Sequence, residues 1–375
     1  MGSVKDLRII QKAYEDVQGV GEFIFSDRWS GFDYGEMPDH IYGKGAALAV
    51  MSAFNFEQLE KRGIQTHYRG LITPTGELIR FDDLEEMGKG AVSNDETKRS
   101  LNGKGIMSVD LAVRYDPVAR RFDEQTPIQY DYSFFQENRG KLNNFLIPLE
   151  VIFRNGLPAG SSVFKRIEKA KTISDSAERE SALQQIYQKL GVTEELQPGS
   201  MLPRPVIGYT TKLESGDRHL SDVEAFEISG LTLDQSGELW KITKKVNDYI
   251  TERAEETGLG IHWDGKVEFI YANGICLADV VGTLDENRFG ADISKEALRQ
   301  WYHKNQPEFV EACSKYKKQG EGWQELCPVK PKPLPEGLVN AVSEMYLSAC
   351  NQYVGKQIFP ALELDEVMKR IEDYR

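Results

Sequence analysis

Asp264, Lys266 and Glu268 occupy alternate positions in IHWDGKVEFIYANGICLADVVGTLDENRF, residues 261–289. The stretch reads as two short strands joined by a turn at Asn273-Gly274. A period of two places the three charged side chains on one face of the first strand. The second strand ends at Asp279, and Arg288 follows in a loop. Burying so many charges on one sheet face is costly unless they meet a metal, a phosphate or each other. Glu268 and Asp279, on paired strands, could hold one Mg²⁺, an ion that favours one or two carboxylates plus substrate phosphates. The plainer reading is a solvated hairpin face with a few ion pairs.

Four further segments offer groups for anions. GSVKDL, residues 2–7, sets Lys5 near a strand start, where it could close over nucleotide phosphates or simply lie in a surface tail. FSDRWSGFDYGEMPDHIYGKGAAL, residues 25–48, crowds Asp27, Arg28, Ser30 and Asp33 into a tight loop. Gly43-Lys44-Gly45 then opens a helix whose free N–H groups suit an anion. No Walker A loop and no dinucleotide-binding glycine motif is present. In IPLEVIFRNGLPAGSSVFKR, residues 147–166, Arg154 leaves a strand ahead of Gly160, Ser161 and Ser162. Guanidinium, hydroxyl and backbone N–H groups together make a cradle for a phosphate monoester. The alternative is an arginine that only caps the sheet. GYTTKLESGDRHLS, residues 208–221, brings Lys212 to a strand end, facing a carboxylate, a phosphate or solvent.

These groups need a scaffold. A chain of 375 residues, 40% hydrophobic and 28% charged, is expected to form two or three packed lobes. Its net charge of −13 disfavours a nucleic-acid partner. No apolar run approaches a membrane span and no signal peptide is evident, so a cytoplasmic protein is expected. The four cysteines lie far apart and the five histidines show no metal spacing, which fits a reduced protein without disulfides. Strand patterns fall at 20–28, 72–81, 109–117, 145–157 and 205–214, and helical ones at 45–62, 177–190, 236–257, 294–318, 336–355 and 364–374. The fold class is α+β. An N-terminal antiparallel β lobe spans 1–145, with a polar, Gly-rich insertion at about 82–140. A larger α/β lobe with a mixed sheet spans 146–320, and a helical extension covers 321–375. The cleft between lobes is the expected ligand site.

In order along the chain, these segments resemble the SAICAR synthetase (phosphoribosylaminoimidazole-succinocarboxamide synthase) family, in a long subtype. SDRWSGFD, PDHIYGKG and MSAFNF are similar to its SDR-S-FD, PGKG and SAFWF stretches. IPLEVIFRNGLPAGS resembles its first signature, P-x-E-x-x-x-R with a short loop and GS. TTKLE resembles TTK-x-E, DGKVEF the second signature D-x-K-x-E-F-G, and ADVVGTLDENRF the stretch DE-x-x-TPDSSRF. Matches run from residue 2 to about 289.

The resemblance implies ATP in the cleft and an ATP-dependent ligase of purine biosynthesis. Its substrates would be carboxyaminoimidazole ribonucleotide and L-aspartate. A carboxylate is a poor acyl donor, so transfer of the γ-phosphoryl group would first make an acyl phosphate. Such chemistry needs positioning, Mg²⁺ and cationic clamps more than a protein nucleophile. By position, Lys5 resembles the phosphate-loop lysine, and Leu146 (through its backbone) and Glu150 fall where adenine and ribose meet the hinge strand. Glu268 and Asp279 match the Mg–ATP carboxylates, and Arg154, Ser161 and Arg288 the ribonucleotide phosphate cradle. Asp33, Lys212, Asp264 and Lys266 match positions around the imidazole carboxylate and the incoming aspartate. The implied partners are these small molecules, with no nucleic acid or membrane; a homo-oligomer stays open.

The chain departs from the family pattern at Ser3, Ile270, Val280 and Leu284. Those departures keep two alternatives in view. One is a paralogous amide ligase of secondary metabolism acting on a related phosphoribosyl heteroaromatic acid. The other is a non-catalytic nucleotide-binding protein, against which Glu268 and Asp279 argue.

Overall fold

The computed structural model describes residues 5–84, 105–120, 128–193, 196–290, 293–317 and 322–374. Ser3, and residues 85–104 and 121–127 of the expected insertion, lie outside that set.

Two larger sheets organise the chain. The first contains β1 (Lys5–Gln11), β2 (Gly19–Phe25), β3 (Tyr68–Ile72), β4 (Leu78–Ile79) and β5 (Ile106–Leu111), in spatial order β1-β2-β5-β3-β4. Along β2, Gly19, Gly21, Phe23 and Phe25 are buried and the residues between them are half-buried. That alternation is what a sheet packed on one side requires. The expected insertion is too wide. Strand β5 falls inside it yet pairs with β2 on one side and β3 on the other, so the sheet could not close without it.

The second sheet contains β6 (Asn144–Leu157), β7 (Ser200–Thr211), β8 (His219–Leu220), β9 (His262–Ala272), β10 (Ile275–Ala278) and β11 (Asn287–Phe289). Its order is β8-β7-β6-β9-β10, with β11 also along β9. Every one of these pairs is antiparallel, not mixed as the sequence pattern suggested. Asn273, at φ 56, makes the tight β9–β10 turn, and a turn this short admits only antiparallel strands. Between β6 and β7, helices Ser162–Lys171 and Ser176–Leu190 return the chain to the end it left, and Leu157 faces Ser200. The β6–β9 ladder shifts register between Leu146 and Glu150, and in this stretch Pro148 turns its carbonyl to the other side, accepting from the Lys212 N–H at 3.2 Å.

Three long helices pack into the core: α1 (Lys44–Glu60), α2 (Leu233–Glu256) and α3 (Glu336–Val354). Helix α2 begins with a capping box between Thr232 and Gln235. Helix α1 is buried almost throughout and sits against α3; the Phe54 and Tyr353 rings lie 6.0 Å apart. One apolar core runs from Phe25 through α1 to Phe269 in β9 and Tyr353 in α3. The helical C-terminal region is therefore built into the main core.

The helix expected over 294–318 is two, Glu296–Asn305 and Pro307–Tyr316. Proline is tolerated in the first turn of a helix and not in its interior, so Pro307 starts the second. Helices Ser162–Lys171 and Asp222–Ser229 were not legible in the sequence, because the serines that cap them also read as loop. The four cysteines are free and buried. Among the described residues, no helix is long and apolar enough to cross a membrane.

Candidate active site

Cross-strand register assembles the charged face. Glu150 of β6 stands opposite Glu268 of β9 and Thr210 of β7. Two and four residues on, Ile152 faces Lys266 and Arg154 faces Asp264. Strand β11 then places Arg288 opposite Asp264. Directly paired residues in a sheet share a face, so groups far apart in sequence converge here. Ala278 ends β10 opposite Glu268, and Asp279 follows with a left-handed backbone, φ 62.

Lysines separate the carboxylates. Lys212 Nζ lies 2.6 Å from Glu268 Oε1 and 3.7 Å from Glu150 Oε1. Lys266 Nζ lies 2.8 Å from Glu150 Oε1 and 3.5 Å from Glu286 Oε2. Lys5 reaches across from the first sheet to Asp279 Oδ1 at 2.8 Å. Burial lowers the proton affinity of all three amines, but the surrounding carboxylates outweigh it and raise them. Burial, and then the charge on Asp279, push the Glu268 carboxyl up to about 7. Burial opposes ionisation of Asp279 too, yet Lys5 and Lys212 hold its carboxyl low. Among the described residues no three His, Cys, Asp or Glu side chains gather as a ready metal cage. What exists is a pair of oxygen donors on neighbouring strands, each neutralised by an amine.

An apolar shelf continues the same face. Ile270, Ala272, Cys276 and Ala278 form a small buried cluster with Leu146 and Ala112 against it. The expected backbone role of Leu146 is halved, since its N–H already donates to the Val113 carbonyl at 2.9 Å.

In the other direction the face opens into a cavity of about 1160 Å³ lined by Glu150, Arg154, Ser162, Asp264, Lys266 and Arg288, among others. Arg288 holds Asp264 through two contacts, Nε to Oδ1 at 2.7 Å and a shorter one from Nη2 to Oδ2. Arg154 is 7% exposed, and its Nε finds no hydrogen-bond partner among the described residues. Its one hydrogen bond of note runs from Nη2 to Ser162 Oγ at 3.4 Å. Burial, with Arg166 and Arg288 nearby, lowers its pKa to about 10 although Asp264 attracts it.

Two sequence-derived site residues sit apart from the rest. The Ser161 hydroxyl caps helix Ser162–Lys171, accepting from the Val163 N–H, so Ser162 is the serine that lines the cavity. Asp33 sits at the cavity rim, largely exposed, and pairs with Lys317 at 3.1 Å. Strand register and the ion pairs above bring Lys5, Glu150, Lys212, Asp264, Lys266, Glu268, Asp279, Arg154 and Arg288 together. Lys295, Arg299 and Lys317, also in the wall, were missed. Lys295 and Arg299 are four residues apart, the spacing of one helix face, but that signal is common on solvated helices.

The SAICAR synthetase family model matches residues 10–316. A protein of Archaeoglobus fulgidus, provisionally named phosphoribosylaminoimidazole-succinocarboxamide synthase, is 38% identical over 100% of this chain and 99% of its own. The chain belongs to the SAICAR synthetase family. The phosphoribosylaminoimidazole-succinocarboxamide synthase of Thermoplasma acidophilum is 26% identical, covering 94% of this chain and 100% of its own. A solved SAICAR synthase from Saccharomyces cerevisiae, complexed with SAICAR, shares the fold with a TM-score of 0.57. It is 22% identical and covers 95% of this chain and 94% of its own. As in that family, antiparallel sheets are followed by C-terminal helices.

Proposed function

We propose that this SAICAR synthetase family member joins L-aspartate to 5-amino-1-(5-phosphoribosyl)imidazole-4-carboxylate, with ATP converted to ADP and phosphate, in the cytoplasm. The observation that carries the reading is the cavity end formed by Arg154, Ser162 and Arg288, beside the Glu150–Glu268–Asp279 face. Two guanidiniums, one of them buried and under-partnered, suit a sugar monophosphate.

The reaction balances in two stages. The imidazole carboxylate oxygen takes the γ-phosphoryl group and ADP leaves. The aspartate amine then attacks the acyl carbon, loses a proton, and phosphate departs as the amide forms. Lys212 and Lys266 supply cations beside the carboxylate being activated. Lys295, Arg299 and Lys317 in the cavity wall offer docking for the two carboxylates of aspartate. The apolar shelf around Leu146 suits a nucleobase, and Lys5 suits its phosphates.

Glu268 and Asp279 fit a Mg²⁺ that takes its other ligands from phosphate and water, since both are oxygen donors, and burial together with the charge on Asp279 already raises Glu268. Bound there, such an ion would neutralise charge on the phosphate oxygens.

Phosphate release tests the proposal. It is expected to require ATP, the imidazole nucleotide and aspartate together. Release that proceeds equally without aspartate would refute it.

A further inference from the structure

Asp279 opens a single loop and Arg288 lies in the short strand β11 that follows it, so whatever fixes the loop's middle sets both the nucleotide carboxylate and the phosphate arginine. Two helices grip that middle. Val281 donates its N–H to Ser52 Oγ of α1 at 3.2 Å, and its carbonyl accepts from Asn55 Nδ2 at 3.0 Å. Tyr353 of α3 in turn donates to Asn55 Oδ1 at 2.9 Å. Gly282 packs so closely, at φ 67, that an added Cβ would sit 2.2 Å from Asn55 Nδ2.

The second grip is polar and faces the cavity. Asp285 lines it, and the carboxylate is 4% exposed. Lys44, at the start of α1 and wholly buried, places Nζ 3.0 Å from Asp285 Oδ2. Tyr346 of α3, also fully buried, donates its hydroxyl to Asp285 Oδ1 at 2.7 Å. Helix α3 lies beyond residue 316, where the family match ends. A buried Lys–Asp–Tyr set is expensive to desolvate and poorly suited to stability alone, because apolar residues of the same volume usually serve as well. Its neighbours on the loop give it another use. Glu286 contacts Lys266 and Arg288 contacts Asp264, so rotation of Asp285 would shift both pairs.

We propose that Tyr346 is a positioning residue for the ligase site: it reaches in from the C-terminal helix and, with Lys44, locks Asp285 so that the loop presents Asp279 and Arg288 to both nucleotides. The inference rests on the ligase reading for its kinetic test. The full chain carrying Tyr346→Phe, Asp285→Asn or both is compared with wild type. Tyr346→Phe keeps the ring and is expected to raise the KM for ATP and for the imidazole nucleotide together, by roughly tenfold, the worth of one hydrogen bond to a charged group. The double variant is expected to be no worse than Asp285→Asn, because the hydroxyl acts through that carboxylate. A Tyr346→Phe protein that melts earlier with both KM values unchanged overturns the proposal. So does a double variant whose losses multiply. If Asp285→Asn does not fold, the KM result for Tyr346→Phe decides alone. A wild type with no aspartate-dependent turnover would sink the ligase reading instead. The inference is then judged by calorimetric binding of ribose 5-phosphate to wild type and Tyr346→Phe, with equal affinities overturning it.

Discussion

Replacing Arg154 by Met separates the cost of a buried cation from its use. The guanidinium is 7% exposed, its Nε is unpartnered among the described residues, and its nearest fixed hydrogen bond is a long one to Ser162. Burial, first of all, brings its pKa down to about 10. That drop corresponds to roughly 3 kcal/mol against the charged form, to order of magnitude. Methionine keeps a similar apolar stem and removes the charge. Asp264 is not stranded by the change, since Arg288 holds both its oxygens. Ligand-free stability should therefore stay level or rise, by about 1–2 kcal/mol after the lost Ser162 contact and imperfect packing are discounted. Binding should move the other way. Charge-assisted hydrogen bonds to a phosphate contribute about 1.5–3 kcal/mol each, so losing one should raise KM for the imidazole nucleotide roughly 10- to 150-fold. KM for ATP should barely change. Urea unfolding without ligand and steady-state kinetics with each substrate varied would measure both sides. A large loss of ligand-free stability, with nucleotide KM intact, would show that Arg154 is structural and the phosphate cradle is misplaced.

Three other expectations can be measured alongside it. Glu268→Gln should abolish turnover by at least about 100-fold with little change in melting temperature, since the amide keeps the shape and Lys212 retains Glu150; normal turnover would remove Glu268 from any metal role. Ser161→Ala should cost about 1 kcal/mol of stability as a lost helix cap, whereas Ser162→Ala should chiefly raise nucleotide KM; the reverse pattern would contradict the cavity geometry. His262 is buried and its pKa is lowered to about 4, mainly by desolvation. The unfolded chain then binds the extra proton first, so stability is lost as pH falls from about 6.5 to 4, at up to about 1.4 kcal/mol per pH unit. His67 and His219 are lowered to about 4 as well and share this window, so His262→Gln, which cannot titrate, should make that limb shallower without removing it in urea titrations across pH; an unchanged slope would assign it elsewhere.

Much of the site was open to sequence reasoning because β-strands have a fixed period. Asp264, Lys266 and Glu268 share a face for that reason alone, and the Asn273-Gly274 turn carries Asp279 back beside them. Helix ends marked by glycine, such as Gly191 at φ 70 and Gly355 at φ 74, were equally local. The choice between Ser161 and Ser162 was not local, because either hydroxyl could cap a helix that the sequence did not announce. Pairing across long separations was also hidden. Nothing in the composition of α3 says that Tyr346 meets Asp285, 61 residues earlier, or that Lys5 meets Asp279, 274 residues later.

Local chemistry determined the α+β class, the charged hairpin and the residue types able to handle phosphate, since turn preference, strand period and side-chain charge act over a few residues. Tertiary packing decided which of those charges touch, which serine faces the cavity, and how a C-terminal helix came to grip the loop between Asp279 and Arg288. Those outcomes depend on sheet register and on the burial of α1 against α3, and both are properties of the assembled core.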